Sequence, residues 1–280
     1  MNTTEYTYLK KKIRDLTVFD LDNYSDNQMM RRLDSYIART KVKDIAQYCK
    51  LLERDAHELE KLQNFLTVNV SEFFRDPPYF DILQNTVLPD LLRRSEALNI
   101  WSAGCSNGAE AYSVAMILSR VSPLTAHRIL ATDIDKRILE LAEAGGPYRP
   151  SDIRNVPKPL VKKYFSARDN SFWVCDDIRK KVTFKRHDLM QDVFGVNFDL
   201  IICRNVVIYF SDEAKVRLKW KFQNALKPNG ILFIGATETM IDAADVGFHR
   251  MFHCVYRKHG ANAVNLTGTR AQPAIHITSR

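Results

Sequence analysis

The chain has 280 residues, 45% hydrophobic and 26% charged, a composition typical of a soluble globular protein of one or two domains. Its formal net charge of +8 predicts an acidic partner, for which nucleic acid, an anionic membrane and an acidic protein all qualify. The amino terminus lacks the pattern of a secretory signal, and no apolar run reaches the roughly 18 residues of a membrane span, so we expect no membrane insertion.

Residues 1–70 predict a small all-α domain. The segment SDNQMMRRLDSYIARTKV has Ser25 as a candidate helix cap and an apolar stripe of Met29, Leu33 and Ile37 at helical spacing. A second amphipathic helix is predicted within ERDAHELEKLQNFLTV. Residues 71–95, which include Asp76 as a candidate cap for the next helix, are interpreted as a linker.

Strands and helices alternate over residues 96–260, a pattern that predicts a parallel sheet covered by helices. The helical segments include SDEAKVRLKWKFQNALKPNG, with Ser211 as cap and Gly230 at its end. Residues 147–186 interrupt the alternation. There SFWVC and KKVTFKR are interpreted as two strands joined by a turn, which gives an inserted antiparallel β subdomain. Residues 261–280 lack apolar periodicity and are interpreted as a disordered tail.

The inserted segment is also strongly basic. Residues 148–186 contain eleven Lys or Arg and four Asp or Glu, a surplus of seven that nearly accounts for the charge of the whole chain. An acidic partner would therefore be expected to approach this part of the molecule.

The residues that most often bind metals are not arranged in metal-binding patterns. The five cysteines are scattered, with no CxxC pair, and predict reduced thiols in a cytoplasmic protein. His249 and His253 are four residues apart, but the alternating aromatic pattern around them predicts a strand rather than a helix. We therefore predict no metal site.

A glycine-containing loop, WSAGCSNGAEAYS, follows the first predicted strand of the sheet. Gly104 and Gly108 would let the backbone approach a ligand at the carboxyl end of that strand, but the spacing is neither GxGxxG nor a phosphate-binding P-loop. Asp133 ends the second strand, where a carboxylate can accept bonds from ribose hydroxyls, and Asp135 would cap the next helix; the two roles could be exchanged. A nucleoside without a phosphate chain is predicted, and S-adenosylmethionine fits.

Five motifs together, NVSEFFRD, WSAGCSNGAEAYS, ATDID, CRNVVIYF and LKPNGILFIGATE, resemble the chemotaxis receptor glutamate methyltransferases of the CheR type. The resemblance covers roughly residues 10–258 in the same order, although Asn107, Ala109 and Ala111 depart from the usual STGEEPYS loop. It implies a Rossmann-like class I methyltransferase sheet, preceded by the helical domain and carrying the inserted β subdomain. It also implies methyl transfer from S-adenosylmethionine to chemoreceptor glutamates, with S-adenosylhomocysteine as product.

The resemblance also assigns site residues. Arg75 would bind either the methionine carboxylate of the cofactor or the carboxylate of the substrate, and Tyr209 would either orient the substrate or belong to the core. A glutamate carboxylate is already ionised at neutral pH, so no general base is required. The expected cofactor-binding residues are Asn69, Ser71, Arg75, Glu110, Asp133, Asp188, Leu189, Asn205 and Val206.

One motif points elsewhere. Asp76, Pro77, Pro78 and Tyr79 spell DPPY, the signature of DNA amino-methyltransferases, where it follows the fourth strand of the sheet. Here that place belongs to FDLIICRN, which ends at Asn205, so the match is interpreted as chance. The alternatives that remain are a class I methyltransferase for nucleic acid or a small molecule, and a non-catalytic cofactor-binding sensor.

A docking surface is predicted from the basic residues of the helical domain. Arg32, Arg39 and Lys43 would lie near one face of a continuous helix, away from the apolar stripe. The expected partner is the acidic helical methylation region of a chemoreceptor, with the inserted β subdomain as a second contact. We expect a cytoplasmic monomer that binds no nucleic acid.

Overall fold

The computed structural model describes residues 1–17 and 19–260, so the tail expected at 261–280 lies outside the described residues. Four helices form the amino-terminal part: α1 (Thr3–Leu16), α2 (Asp26–Ile37), α3 (Ile45–Arg54) and α4 (Ala56–Leu66). The side chains of Asn2, Asp44 and Asp55 accept bonds from the first-turn amides of α1, α3 and α4. These helices bury a core of their own, which includes Leu33 and Leu62.

Helix α2 differs from its prediction in one respect. Met29, Leu33 and Ile37 are buried as expected, but the helix ends at Ile37, and residues 38–44 form turns. Ser25 stands at the cap position without a side-chain hydrogen bond to the helix. The continuous helix assumed for the docking surface was therefore wrong.

The linker forms two short helices, α5 (Pro77–Ile82) and α6 (Leu88–Leu92), joined by a π turn at Leu83–Val87. Pro77 begins α5, where the missing amide hydrogen costs nothing because the first helical amides have no partner within the helix. Asp76 precedes it, but its carboxylate does not cap the helix and instead accepts a bond from Arg204.

Seven strands form the main sheet, in the order β5, β2, β1, β6, β7, β9, β8. The first five are parallel, and β9 pairs antiparallel with both β7 and β8. Chain order reverses between β1 and β6, and a ligand crevice is expected at the carboxyl ends of strands on either side of such a reversal. The strands are β1 (Asn99–Ala103), β2 (Arg128–Asp133), β5 (Val182–Arg186), β6 (Phe198–Cys203), β7 (Leu226–Ile234), β8 (Phe248–Phe252) and β9 (Val255–Lys258).

Helices cover the sheet: α7 (Ala109–Val121), α8 (Lys136–Ala144), α10 (Asp176–Arg179) and α11 (Asp212–Ala225). All six residues of β6 are buried, as expected of a central parallel strand. The predicted fold class is confirmed: a Rossmann-like α/β sheet preceded by an all-α domain and carrying a small antiparallel insertion. No helix in the described part of the chain has the length and hydropathy needed to span a membrane.

The composition of the insertion was predicted wrongly. Strand β4 (Ser171–Val174) pairs with β3 (Phe165–Arg168), which follows α9 (Lys158–Tyr164), and these two strands make the antiparallel sheet. The segment KKVTFKR instead supplies β5, which pairs parallel with β2 at the edge of the main sheet. Sequence pattern identified both strands but could not choose their partners, because strand pairing is a long-range choice.

The end of α11 was also misplaced. The helix stops at Ala225, and β7 begins at Leu226 rather than after Gly230. Lys227, which was expected within the helix, bonds the buried carboxylate of Asp199 at the start of β6. That half-buried ion pair helps to hold the early part of β7 beside β6.

Leu33→Ala should lower the free energy of unfolding by about 2–5 kcal/mol, because a fully buried leucine leaves a cavity in the small helical core. Urea denaturation followed by circular dichroism measures the change. Leu124→Ala is the matched control, since Leu124 is 99% exposed and its loss should change stability by less than about 0.5 kcal/mol. Equal effects of the two substitutions would contradict the assigned core.

Candidate functional site

A pocket lies at the carboxyl ends of β1, β2, β5 and β6 and is closed from above by the linker and the helical domain. Asp133 ends β2, and Arg204 and Asn205 follow β6, so parallel strands deliver their polar ends to one edge. All nine expected cofactor-binding residues line this pocket, together with Tyr209: Asn69, Ser71, Arg75, Glu110, Asp133, Asp188, Leu189, Asn205 and Val206.

The loop between β1 and α7 requires its glycines. Gly104 and Gly108 have φ of +78° and +80°, a region that side chains disfavour. A Cβ atom on Gly104 would stand 2.5 Å from a methyl group of Val206. The loop is therefore pressed against the segment after β6, and the two together form the floor of the pocket.

Asp133 orients this loop. Its carboxylate accepts bonds from the amides of Ser106 at 2.8 Å and of Asp135 at 3.1 Å. Burial raises the pKa of Asp133, and the two amide bonds oppose that rise. Each carboxylate oxygen retains a further lone pair on the pocket side, which is what a ribose hydroxyl needs.

Asp135 has the capping role that the sequence suggested, and a second role that it did not. It accepts bonds from the amides of Arg137 and Ile138 at the start of α8. Its other oxygen accepts from Asn69 Nδ2 at 2.6 Å and from Thr67 Oγ1 at 3.0 Å. Asn69 therefore bonds Asp135, and this pair holds the segment just before the linker against the end of the sheet.

Arg204 is the largest omission from the sequence prediction. Its side chain is 1% exposed and lies between the rings of Phe80 and Phe233, at 5.4 and 5.1 Å from their centroids. Its Nη2 donates to the backbone carbonyl of Arg75 at 3.0 Å and to Asp76 Oδ2 at 2.8 Å. The only available signal was a charged residue directly after the apolar run LIIC at the end of β6.

Glu110 faces the same guanidinium from the first turn of α7. One carboxylate oxygen accepts a bond from Ser102 Oγ at 2.7 Å, and the other lies 3.7 Å from Arg204 Nη1. Burial raises the pKa of Glu110, while the charges of Arg204 and, more weakly, Arg75 lower it. The pocket thus places one carboxylate between two cations.

Arg75 occupies a strained part of the linker. Its neighbours Phe74 and Asp76 have φ of +51° and +57°, which side chains of their size rarely adopt outside functional segments. Its Nη1 donates to the carbonyl of Val70 at 3.1 Å. The buried guanidinium of Arg204 donates to the backbone carbonyl of Arg75, and this bond helps to keep Phe74 and Asp76 at positive φ.

A buried carboxylate shapes the segment after β6. Glu238 is 7% exposed and accepts bonds from the amides of Gly235 at 2.6 Å, Ile208 at 3.2 Å and Asn205 at 3.3 Å. Burial raises its pKa, and these amide bonds lower it. Sequence reasoning did not identify Glu238, because nothing in GATE marks a long-range acceptor.

Asn205 adopts φ of +58°, and its Oδ1 is buried without a hydrogen-bond partner among the described residues. An unpaired buried acceptor is costly unless a ligand supplies the donor. This atom is therefore a candidate partner for an amino or hydroxyl group.

Asp188 and Leu189 follow β5 at the edge of the pocket. The carboxylate of Asp188 accepts a bond from the amide of Met190 at 2.7 Å, and Leu189 is buried. His187, which the sequence prediction missed, also lines the pocket, and its ring packs edge-on against Trp101 at 5.6 Å. Burial lowers the pKa of His187. This corner offers an apolar wall for a planar base.

The helical domain is joined to the site by a short antiparallel bridge between Tyr24 and Phe210. The amide of Ser25 donates to the carbonyl of Tyr209, and the amide of Ser211 donates to that of Asn23. The rings of Tyr24 and Phe210 pack at 5.1 Å. Tyr24 lines the pocket, so the helical domain forms part of its wall.

The three predicted docking residues do not share one face. The Arg32 guanidinium lies against the rings of Phe65 and Tyr209, at 5.1 and 5.9 Å, and donates to the carbonyl of Phe65 at 2.5 Å. Arg39 and Lys43 are exposed in the turns after α2. The structure therefore separates Arg32, beside Tyr209, from the two outer cations.

The family comparison follows the same division of the chain. Residues 4–67 match the all-alpha domain of the CheR methyltransferases, and residues 69–254 match their S-adenosylmethionine-binding domain. This chain belongs to the CheR methyltransferase family. It is 35% identical to a chemotaxis protein methyltransferase of Listeria innocua and 36% identical to one of Listeria monocytogenes, each over 91% of this chain and 97% of the relative. Chemotaxis protein methyltransferase 2 of Vibrio cholerae is 36% identical over 70% of this chain and 71% of its own.

The protein is thus a methyltransferase of chemotaxis that uses S-adenosylmethionine. The pocket has features that suit this cofactor: a carboxylate at the end of β2 that can accept bonds from hydroxyl groups, the unpaired Asn205 acceptor and an apolar wall. No cluster of His, Cys, Asp or Glu with metal-binding geometry occurs among the described residues.

Glu238→Gln should lower kcat about tenfold. Glutamine keeps the volume but presents an NH₂ group to one of three backbone donors, at a cost of about 1–3 kcal/mol. Steady-state methyl transfer with saturating cofactor measures the effect, and circular dichroism checks the fold. Glu213→Gln, on the exposed face of α11, is the control. Unchanged turnover in a folded Glu238→Gln variant would remove Glu238 from the support of the site.

Proposed function

We propose that this enzyme transfers the methyl group of S-adenosylmethionine to glutamate side-chain carboxylates of chemoreceptors and forms glutamate methyl esters. The observation that carries the proposal is Arg75. Its guanidinium lines the pocket and donates one bond, to the Val70 carbonyl, and the described residues offer its other donors no hydrogen-bond partner. A cation with free donors at a methyl-transfer site suits an anionic acceptor.

Arg75 and Arg204 have different roles in this proposal. Arg204 is occupied by the linker and faces Glu110, whereas Arg75 is only partly buried and keeps free donors. We therefore assign Arg75 to the substrate carboxylate. The sequence left open whether Arg75 binds the carboxylate of the cofactor or that of the substrate, and we propose the substrate.

Bound S-adenosylmethionine supplies a methyl group on a positively charged sulfur. The acceptor carboxylate attacks that methyl carbon as the carbon–sulfur bond breaks, and the sulfur keeps the bonding electrons. No proton is removed, because a glutamate with a pKa near 4.3 is already ionised at neutral pH. The protein must align the oxygen with the methyl carbon and the sulfur, and Arg75 fixes the oxygen side of that line.

Tyr209 orients the acceptor in this proposal. Its backbone is held by Ser25, and its ring lies beside the Arg32 guanidinium, so the helical domain determines where the phenol stands. The bridge between Tyr24 and Phe210 also covers the pocket and limits the access of water. Lower water content strengthens the attraction between the carboxylate and the cations.

Incubation with radiolabelled S-adenosylmethionine and cytoplasmic receptor fragments tests the proposal. Base-labile methyl ester on receptor glutamates is the expected product. Label on DNA, RNA or a small molecule would contradict the proposal in favour of another acceptor, and cofactor binding without any transfer would indicate a sensor.

Asp133→Ala should weaken S-adenosylmethionine binding by about 1–3 kcal/mol, because ribose hydroxyls lose their acceptor and the Ser106 amide loses its partner. Isothermal titration calorimetry measures the affinity. Asp245→Ala removes an exposed carboxylate and is the control. Wild-type affinity in a folded Asp133→Ala protein would remove Asp133 from the cofactor site.

The acidic substrate accounts for the basic surfaces. We propose that the exposed Arg39 and Lys43 contact the receptor, with Arg32 placed deeper, beside Tyr209, and that the basic insertion gives a second contact. We also propose that the enzyme acts as a monomer in the cytoplasm, where its five unpaired cysteines stay reduced.

Arg39→Glu with Lys43→Glu should raise the KM for receptor fragments about tenfold at low salt and leave cofactor affinity unchanged. The effect is electrostatic, so added salt should bring wild type toward the variant. Arg120→Glu with Arg128→Glu is the matched control, because these exposed arginines lie in the last turn of α7 and at the start of β2, outside both proposed contact surfaces. Wild-type KM in the Arg39 and Lys43 variant at low salt would exclude this surface from docking.

A further inference from the structure

Ten large hydrophobic side chains are exposed in the described chain, and two of them, Val68 and Val70, lie at the outer edge of the pocket. They are 36% and 70% exposed and belong to the stretch between α4 and the strained Phe74. Single exposed apolar residues are common on protein surfaces. A pair at the mouth of a reaction pocket calls for a specific explanation.

The exposure of this pair follows from the hydrogen bonds that hold residues 67–75, the segment that leads into the linker. Thr67 and Asn69 both donate to Asp135, so alternate side chains point inward and are anchored. In an extended stretch, side chains at successive positions point to opposite sides, so Val68 and Val70 lie on the side away from Thr67 and Asn69. The two bonds to Asp135 thus stabilise a backbone conformation in which Val68 and Val70 are exposed to solvent.

The backbone around the valines is fixed as well. The carbonyl of Val70 accepts a bond from Arg75, and the carbonyl of Ser71 accepts one from Asn107 at 3.4 Å. The valines therefore cannot turn inward without breaking contacts of the site itself. Within the described residues, this leaves apolar surface that a docking molecule can cover.

We infer that Val68 and Val70 form an apolar rim on which the acceptor polypeptide docks, with the apolar residues that flank its methylated carboxylate seated on the two valines. This inference rests on the proposed function. Because the carboxylate has to reach Arg75, and Arg75 bonds Val70, the residues beside that carboxylate must cross the rim. The segment that docks would therefore have an acidic side chain flanked by apolar ones. The acidic side chain would bind Arg75, and its apolar neighbours would pack on Val68 and Val70.

Val68→Ser with Val70→Ser should raise the KM for receptor fragments about tenfold, because apolar area is no longer buried on docking. The affinity for S-adenosylhomocysteine should stay within twofold of wild type. Val193→Ser with Val196→Ser is the matched control, since these valines are 91% and 61% exposed and lie outside the pocket. An unchanged KM, or an equal loss of S-adenosylhomocysteine affinity, would overturn the inference.

A second measurement separates this inference from the proposed reaction. Val70→Cys should be protected from alkylation by receptor fragments in the presence of S-adenosylhomocysteine, whereas Ile241→Cys, at a site 96% exposed, should not. Methyl ester formation without protection overturns the rim alone. Protection without ester formation supports the rim and overturns the proposed reaction, and the absence of both overturns both.

Discussion

The site depends on one buried charge. Arg204 follows the central strand β6 and is 1% exposed, so it has lost nearly all contact with water and must be satisfied by the protein. The partners it finds are the carbonyl of Arg75 and the carboxylate of Asp76, both in the linker, with Glu110 behind. These bonds to a buried cation hold the linker across the carboxyl ends of the strands.

The rest of the pocket follows from that closure. The linker crosses the carboxyl ends of the strands and keeps Phe74 and Asp76 at positive φ, which leaves Arg75 between them with free donors. The buried carboxylate of Glu238 accepts bonds from three backbone amides and so fixes the segment after β6, which lines another part of the pocket. The helical domain then attaches through the Tyr24 and Phe210 bridge and completes the cover. Two buried ionisable side chains, Arg204 and Glu238, therefore position the linker and the segment after β6 around the pocket.

Much of this could be predicted from local sequence. The glycine loop, the acid at the end of β2 and the amide after β6 are set by chain order in a parallel sheet, and all lie at one pocket. Pairings between distant segments could not be predicted: KKVTFKR joined β2 rather than SFWVC. Arg204 and Glu238 were missed for the same reason, because their partners are remote in sequence and no periodicity marks them. Arg32 was placed on a docking face by helical spacing alone, whereas tertiary packing turned it toward Phe65 and Tyr209.

A double-mutant cycle between Arg204 and Asp76, measured as affinity for S-adenosylhomocysteine, tests the central claim most directly. Arg204→Lys and Asp76→Asn should each weaken binding, and the double variant should lose less than the sum, with a coupling energy of about 1–3 kcal/mol. Losses that add within about 0.5 kcal/mol would contradict the claim that this pair holds the linker over the cofactor.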